Sequence, residues 1–188
     1  NVTSQEVIYK VTVRSEVEDI VVTINQAMAG TANKYYVKVT SAPTDWSGTY
    51  LITATASSAN VSGLVVLSAM NAYNSNSYGK YMKITESESG KILSDDTVDA
   101  YQVVITKTSN GYSIKFGDYY LGKSSTSNDL KAYKTYTAKE CEWTFNGLKI
   151  VSYNKNAYNL QWNNNKGQER FACYKGTQKD VVLYRLQD

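Results

Sequence analysis

The sequence predicts an all-β protein in which one unit of four short strands is used three times. Strand-like segments begin at Val103, Trp143 and Val182, at intervals of 40 (143 − 103) and 39 (182 − 143) residues. The segments that start at Gly111 and Gly147 are also alike, since each holds an opening strand, a short turn, a Tyr-Leu or Tyr-x-Leu step and a polar hairpin. A fixed period indicates a repeated supersecondary unit that buries its apolar face only against its neighbours.

Composition supports a globular β-rich chain and argues against several function classes. The 188 residues include 17 Tyr but only one Pro, and no long run of Leu, Ala and Glu suggests a helical bundle. The net charge of +3 comes from both signs scattered along the chain, so we expect no nucleic-acid partner. No stretch approaches 18 apolar residues, so we expect no membrane insertion.

Residues 1–33 predict a short β segment followed by a linker. Apolar and polar residues alternate over Val7–Val13 and again over Ile20–Ile24, with a polar connection at 14–19. Two strands alone are not a stable domain in water. Two origins remain open for this pair, the end of a preceding Ig-like sandwich or a segment that packs on the repeat domain. Small and polar residues at 26–33 form the predicted linker.

Residues 34–188 carry the three repeats. A strand at Tyr35–Thr40 and a Pro- and Gly-containing turn at Ser41–Gly48 lead into the first repeat, which runs from Tyr50 to Ile105 and is stretched by an insertion. Its predicted loops are Ser58–Gly63 and Asn71–Gly79. Three units of four short strands with polar turns predict a β-trefoil. A β-sandwich is the alternative, because the first repeat fits the period less well than the other two.

The order of several motifs resembles a known family. The motifs are Tyr35–Ile52, Gly111–Lys115, Arg170–Tyr174 and Val182–Leu186. Together they resemble a recurrent C-terminal module of secreted multidomain proteins of gut bacteria of the Bacteroidota type, including surface proteins and extracellular hydrolases. The resemblance implies a location outside the cell or at its surface, an accessory role and a place in a larger chain.

The repeat pattern is also similar, more loosely, to ricin-type β-trefoil lectins. Those lectins carry Gln-x-Trp near the end of each repeat. The matching place here holds Cys141-Glu142-Trp143 in the second repeat, and it holds no Trp in the other two. This departure weakens any transfer of the galactose site of that family to this chain.

The third repeat contains the densest group of candidate ligand-binding residues. We predict a sugar site in which Trp162 stacks against the ring and polar side chains bind its hydroxyl groups. The polar partners are Asn163, Asn165, Gln168 and Arg170, with Tyr174 beyond them. A purely structural interpretation is also open, because Asn-Asn-Asn-Lys-Gly is ordinary turn sequence and Trp162 shares a strand face with Leu160.

The second repeat offers a parallel set of candidates. Asp118 and Tyr119 form an acidic and aromatic pair of the kind that orients a hexose, and Asn128 and Tyr133 follow them. The neighbouring Asp129 and Lys131 belong to the same set. Gly117-Asp118 and Asn128-Asp129 are also plain turn sequences. Trp143 and Phe145 are predicted to close the core.

The sequence gives little support to catalysis, metal binding or a cofactor. It contains no His, no Gly-x-Ser-x-Gly and no Gly-rich phosphate loop, so we expect no enzyme. Paired carboxylates such as Glu140 and Glu142 can equally face solvent. Ser94–Asp99 holds three carboxylates, but their spacing does not match a calcium loop and favours a solvated turn. Cys141 and Cys173 either pair or are two buried thiols.

These features together predict a non-catalytic, extracellular carbohydrate-binding module that acts by aromatic stacking and hydrogen bonds. The competing class is a structural or protein-interaction module, since Tyr is also enriched at protein interfaces. The expected partner is therefore a glycan or a cell-surface protein.

Overall fold

The computed structural model describes residues 7–14, 19–26, 33–71 and 77–187. The chain divides into two units, residues 1–33 and 34–188. In the first unit, β1 (Val7–Arg14) and β2 (Asp19–Gln26) form an antiparallel pair, as the alternation predicted. Most of the predicted linker at 26–33 and the centre of the predicted loop at 71–79 lie outside the described residues.

The second unit is all-β, which confirms the all-β part of the predicted fold, and its strands form one large antiparallel sheet. In chain order the described strands are β3 (Tyr35–Lys38), β4 (Gly48–Ser57), β5 (Ser62–Met70), β6 (Gly79–Lys83), β7 (Lys91–Leu93), β8 (Val103–Lys107), β9 (Tyr112–Phe116), β10 (Tyr119–Gly122), β11 (Lys131–Tyr133), β12 (Trp143–Asn146), β13 (Lys149–Ser152), β14 (Asn159–Asn163), β15 (Arg170–Tyr174), β16 (Lys179–Asp180) and β17 (Val182–Gln187). A four-residue helix, α1 (Asp96–Asp99), lies between β7 and β8.

The strand pairing follows the period of the sequence. The predicted closing strands are β8, β12 and β17, and each pairs with the opening strand of another repeat: β8 with β9, β12 with β13, and β17 with β4. The opening strands β4 and β9 also pair with the closing strands of their own repeats. Within the described ranges, no ladder joins the opening and closing strands of the third repeat, β13 and β17.

A second antiparallel hairpin lies inside each repeat. These hairpins are β5–β6, β10–β11 and β14–β15. Backbone hydrogen bonds join the three of them, because Leu130 N donates to Ser77 O at 2.9 Å and Cys173 N donates to Asp129 O at 3.1 Å. Residues from all three repeats therefore meet at one hydrogen-bonded junction.

The main core is built by alternate residues of these strands. In β4, Tyr50, Ile52 and Ala54 point into the large cluster that also holds Trp143 and Trp162. Burial of so many apolar side chains on one side is the main stabilising contribution expected for such a domain. Cys141 and Cys173 are both buried and free. The structure therefore contains two buried thiols, and these two residues do not form a disulfide.

The insertion in the first repeat covers the other face of β4 and β5. A second cluster there contains Leu51, Val66 and Tyr184, with Ile92 of β7, and Val98 of α1 packs against it. With Leu51 in this cluster and Tyr50 and Ile52 in the main core, both faces of β4 are buried in its first half. This extra layer explains why the first repeat departs from the period.

Two of the three carboxylates near Ser94, those of Asp95 and Asp99, have structural partners in the helix region. Asp95 is the N-cap of α1, and its side chain accepts hydrogen bonds from Thr97 N and Val98 N at 2.9 Å. Asp99 accepts hydrogen bonds from Tyr36 OH at 2.8 Å and from Ser94 Oγ. Across the described residues, no group of three or more His, Cys, Asp and Glu side chains is placed to hold a metal ion.

Candidate functional site

Trp162 lies in the main core and not at the surface. Its side chain is 0% exposed, with Tyr81 edge-on at 5.0 Å and Phe171 at 5.1 Å between ring centroids. Its Nε1 donates a hydrogen bond to Asn164 Oδ1 at 3.1 Å. The stacking role predicted for Trp162 is therefore wrong in this structure, because no face of its ring is open to a ligand. The structural interpretation, a core side shared with Leu160, is the one observed.

The predicted amide partners of Trp162 shape the turn between β14 and β15. Asn163 is buried, and its Oδ1 accepts a hydrogen bond from Asn165 N at 2.9 Å. Gln168 N donates to Asn165 O at 2.9 Å, and Gly167 takes φ of +78°, as a tight turn requires. The side chains of Asn165 and Gln168 are exposed. With Trp162 buried, they lack the aromatic platform that the prediction gave them.

Arg170 and Tyr174 are brought together by their spacing on β15. Arg170 Nε donates to Tyr174 OH at 3.3 Å, and the guanidinium carbon lies 5.2 Å from the centroid of the Tyr78 ring. Tyr174 is buried in the main core. The candidates of the third repeat thus divide between core, turn and an Arg–Tyr pair, and they do not share one surface.

The candidates of the second repeat are also spread out. Asp118 is exposed in the β9–β10 turn, and Asn128 is exposed in the β10–β11 loop at the other end of β10. Four strand residues separate these ends by about 13 Å, at about 3.3 Å per residue. Tyr119 is partly buried and faces Phe116 across the hairpin. Tyr133 alone of this set lies among further exposed aromatic rings.

Asp129 takes part in a buried ion pair and is not available to a ligand. Lys123 Nζ donates to the Asp129 carboxylate and to Ser127 O, and both charged side chains are fully buried. Ser125 Oγ donates to the second carboxylate oxygen at 2.9 Å, and Lys131 Nζ lies 3.8 Å from it. The Lys123 ammonium group is also 4.5 Å from the centroid of the Tyr158 ring. This network closes the β10–β11 loop.

An outward row of side chains crosses four strands of the sheet. Val104 lies opposite Lys115, Lys115 opposite Tyr120, and Tyr120 opposite Tyr133. Directly paired residues share a face, so these side chains stand side by side, and three strand spacings of about 4.8 Å make the row about 14 Å long. The row points away from the core, because the alternating neighbours Val103, Ile105, Ile114 and Leu121 are all core residues.

Tyr136 adds a third tyrosine ring to this row. Its ring centroid is 5.6 Å from that of Tyr120, with the rings at 65°. We call Lys115, Tyr120, Tyr133 and Tyr136 the outer tyrosine face. Its three tyrosines are partly exposed, and Lys115 is exposed with its Nζ 5.9 Å from the Tyr120 ring centroid.

Gly122 allows Tyr133 to lie across β10. A Cβ at this position would stand 2.7 Å from Tyr133 Cε2 and 2.8 Å from Glu140 O. Both distances are shorter than real side chains permit, and the second atom belongs to the backbone. The flat placement of the Tyr133 ring therefore depends on a residue without a side chain.

A buried carboxylate lies beneath the outer tyrosine face. Glu142 is 1% exposed, and its two oxygens accept hydrogen bonds from Thr108 Oγ1 and Tyr136 OH. This differs from the solvent-facing alternative for Glu142, whereas Glu140 is partly exposed and accepts an exposed hydrogen bond from Thr137 Oγ1. Burial, and then the hydrogen bond to Glu142, raises the pKa of Tyr136 to about 12.

This raised pKa predicts a loss of stability in strong alkali. The folded state favours the neutral Tyr136 hydroxyl, whereas the unfolded chain ionises it near pH 10. The stabilisation is therefore complete below pH 10 and declines as the pH rises through about 12. The melting temperature should fall less steeply between pH 8 and pH 12 for Tyr136→Phe than for the wild type. Identical slopes for the two proteins would contradict this assignment.

A pocket of about 230 Å³ lies between the β12–β13 turn and the start of β17. One wall is Trp46, whose ring stacks on Phe145 at 4.1 Å with an interplanar angle of 9°. The lining residues are Lys38, Val39, Thr40, Trp46, Leu148, Val181, Val182 and Leu183. Most of these side chains are apolar, so the pocket offers few hydrogen-bonding groups to orient a sugar.

Comparisons with known proteins add a weak structural likeness. No protein family and no curated protein matches the chain. One solved structure, described as the crystal structure of lysenin pore, is 10% identical with a TM-score of 0.46. The match covers 94% of this chain and spans 55% of the length of that one. None of the described helices has the length and apolar character needed to cross a membrane.

Lys115, Tyr120 and Tyr136 were not predicted from the sequence. The first two carry a usable signal, because the two-residue turn Gly117-Asp118 fixes the β9–β10 register. With Phe116 opposite Tyr119, Lys115 must lie opposite Tyr120 on the other face of the hairpin. No comparable signal exists for Tyr136, which reaches the face from the segment after β11.

Proposed function

We propose that residues 34–188 are a non-catalytic carbohydrate-binding module of β-trefoil type, with the outer tyrosine face as its ligand-binding surface. The observation that carries the proposal is the grouping of three partly exposed tyrosine rings, with Tyr120 and Tyr133 on paired strands and Tyr136 in the segment that follows β11. The three tryptophans, Trp46, Trp143 and Trp162, are at most 4% exposed, so tyrosine rings are left as stacking platforms.

The chemistry of the row suits a sugar. Tyrosine rings offer apolar surface to the C–H groups of a pyranose, while the Lys115 ammonium and the exposed Asp118 next to the row can bind hydroxyl groups. Strand residues with fixed register need little reordering when a ligand binds, which lowers the entropic cost. Glu142 is buried and already accepts two hydroxyl hydrogen bonds, which favours binding over acid–base catalysis at this surface.

The β-trefoil part of the proposal is supported by the strand order. Each repeat contributes an opening strand, an inner hairpin and a closing strand, and the three inner hairpins meet at the Ser77, Asp129 and Cys173 junction. The extracellular location and the accessory role within a larger chain are supported by the sequence resemblance alone.

Glycan-array screening followed by calorimetric titration of the best ligand tests this function. We expect Tyr120→Ala and Tyr133→Ala each to weaken binding about tenfold, which is about 1.4 kcal/mol, because each removes a stacking ring. Tyr153→Ala is the matched control, since Tyr153 is 43% exposed and lies in the third repeat. The proposed site would be excluded if Tyr120→Ala and Tyr133→Ala bound as tightly as Tyr153→Ala and the wild type. It would also be excluded if the wild type bound no glycan.

A protein-interaction module is the second candidate. The observation that favours it is Val104, which is 43% exposed and extends the outer tyrosine face with an apolar side chain. Protein interfaces combine such groups with tyrosine. A wild-type protein that is folded and binds no glycan on the array would favour this candidate over the first.

A further inference from the structure

We propose that the saccharide bound by the outer tyrosine face is anionic, carrying a carboxylate or a sulfate group. This inference rests on the carbohydrate-binding function proposed above and names its ligand class. It follows from the charges in and around the row.

Lys115 stands in the middle of the row without a carboxylate partner. Its register neighbours are Val104 on one side and Tyr120 on the other, and neither can neutralise an ammonium group. In the part of the chain that the structure describes, no ion pair includes Lys115. Its Nζ lies 5.9 Å from the centroid of the Tyr120 ring. An exposed cation is therefore held beside an aromatic ring by the strand register.

Charged groups of both signs surround the row, and Lys115 is the cation that lies within it. Lys131 lies opposite Gly122 and two residues from Tyr133 on the same strand face, but its Nζ is 3.8 Å from the Asp129 carboxylate. Lys134 is exposed directly after Tyr133. Asp118 is an exposed acidic group next to the row, and the partly exposed Glu140 is a second one beside Gly122 and Tyr133. Glu142 is shielded by burial and by its two hydroxyl donors. A ligand that stacks on the tyrosines meets at least one unpaired ammonium group.

An acidic sugar matches this arrangement better than a neutral one. Its ring can lie on a tyrosine while its equatorial anion reaches the neighbouring ammonium group, which gives a charge-assisted hydrogen bond. Because Lys115 is exposed, this contribution is moderate and is screened by salt. We therefore expect the preference for anionic glycans to be about tenfold in 20 mM salt, as an order of magnitude, and to decrease with added salt.

Calorimetric titrations with three matched probes test the inference: oligogalacturonate, a neutral galactan oligosaccharide of equal length, and a sulfated galactan. We expect the wild type to prefer at least one anionic probe, and the carboxylated and sulfated arms identify which anion. Lys115→Gln should lower anionic binding about tenfold and should change neutral binding much less, because the Gln amide still hydrogen-bonds sugar hydroxyl groups. The control Lys83→Gln, an exposed lysine on β6, should change neither.

The outcomes separate the two proposals. Neutral glycan bound as tightly as anionic glycan, or anionic binding unaffected by Lys115→Gln, would overturn the ligand class and leave the carbohydrate-binding function standing. Equal affinity for a single-stranded oligonucleotide would also overturn it, by showing general attraction to polyanions. Failure to bind any saccharide would reject the carbohydrate-binding function itself.

Discussion

Lys123→Met is expected to lower the free energy of unfolding by about 3–5 kcal/mol. The ammonium group and the Asp129 carboxylate are both fully buried, and each is the principal counter-charge of the other. Removing the cation leaves a carboxylate in the interior with Ser125 and the more distant Lys131 as remaining partners. Urea denaturation followed by circular dichroism gives the change directly.

Two controls identify burial as the cause of this loss. Lys91→Met removes a partner of Glu88 at the surface, where the two side chains are 44% and 55% exposed, and should cost no more than about 1 kcal/mol. The double variant Lys123→Met/Asp129→Leu removes both charges and should be more stable than Lys123→Met alone. The structural role of the Lys123–Asp129 pair would be refuted if Lys123→Met lowered the free energy of unfolding by less than Lys91→Met does.

Trp162→Ala is expected to destabilise the protein by about 3–5 kcal/mol, through the cavity it leaves between Tyr81 and Phe171. Trp162→Phe keeps most of the ring volume and should cost less. Tyr153→Ala, at a position 43% exposed, should change stability by no more than about 0.5 kcal/mol. Urea denaturation under the same conditions measures the change in the free energy of unfolding for all three variants.

The same variants separate folding from recognition at Trp162. Under conditions where Trp162→Phe is folded, its affinity for the glycan chosen on the array should equal that of the wild type. A selective loss of binding without a loss of stability would show that the ring contacts ligand after all. The wild-type structure argues otherwise, since the indole is enclosed.

The sequence predicted the strands well because each strand is specified locally. Alternating apolar residues define β1 and β2, and the recurring closing segments at Val103, Trp143 and Val182 all begin strands in the structure. The insertion in the first repeat was harder to place. Its strand β7 pairs with β3, more than fifty residues earlier in the chain, and no local pattern specifies such a partner.

The candidate site was predicted less well for a related reason. Alternation assigns Trp162 and Tyr120 each to one face of its strand. It does not show which face is covered, because the covering hairpins come from other repeats. The turn-like Asn163, Asn165 and Gln168 were recognised as such, but a turn sequence does not reveal whether an aromatic ring beside it is exposed. Tyr133 was found, whereas its neighbours in the row needed the β9–β10 register.

The junction of the three inner hairpins also bears on how this chain folds. Its hydrogen bonds join residues 53 (130 − 77) and 44 (173 − 129) positions apart, and β17 pairs with β4 across more than 120 residues. In linear repeat arrays each repeat contacts only its neighbours, so folding can spread from any point. Here the contact order is high, and we expect a slow transition on the order of milliseconds to seconds. No single repeat should persist as a folded intermediate, because each one lacks partners that only the others supply.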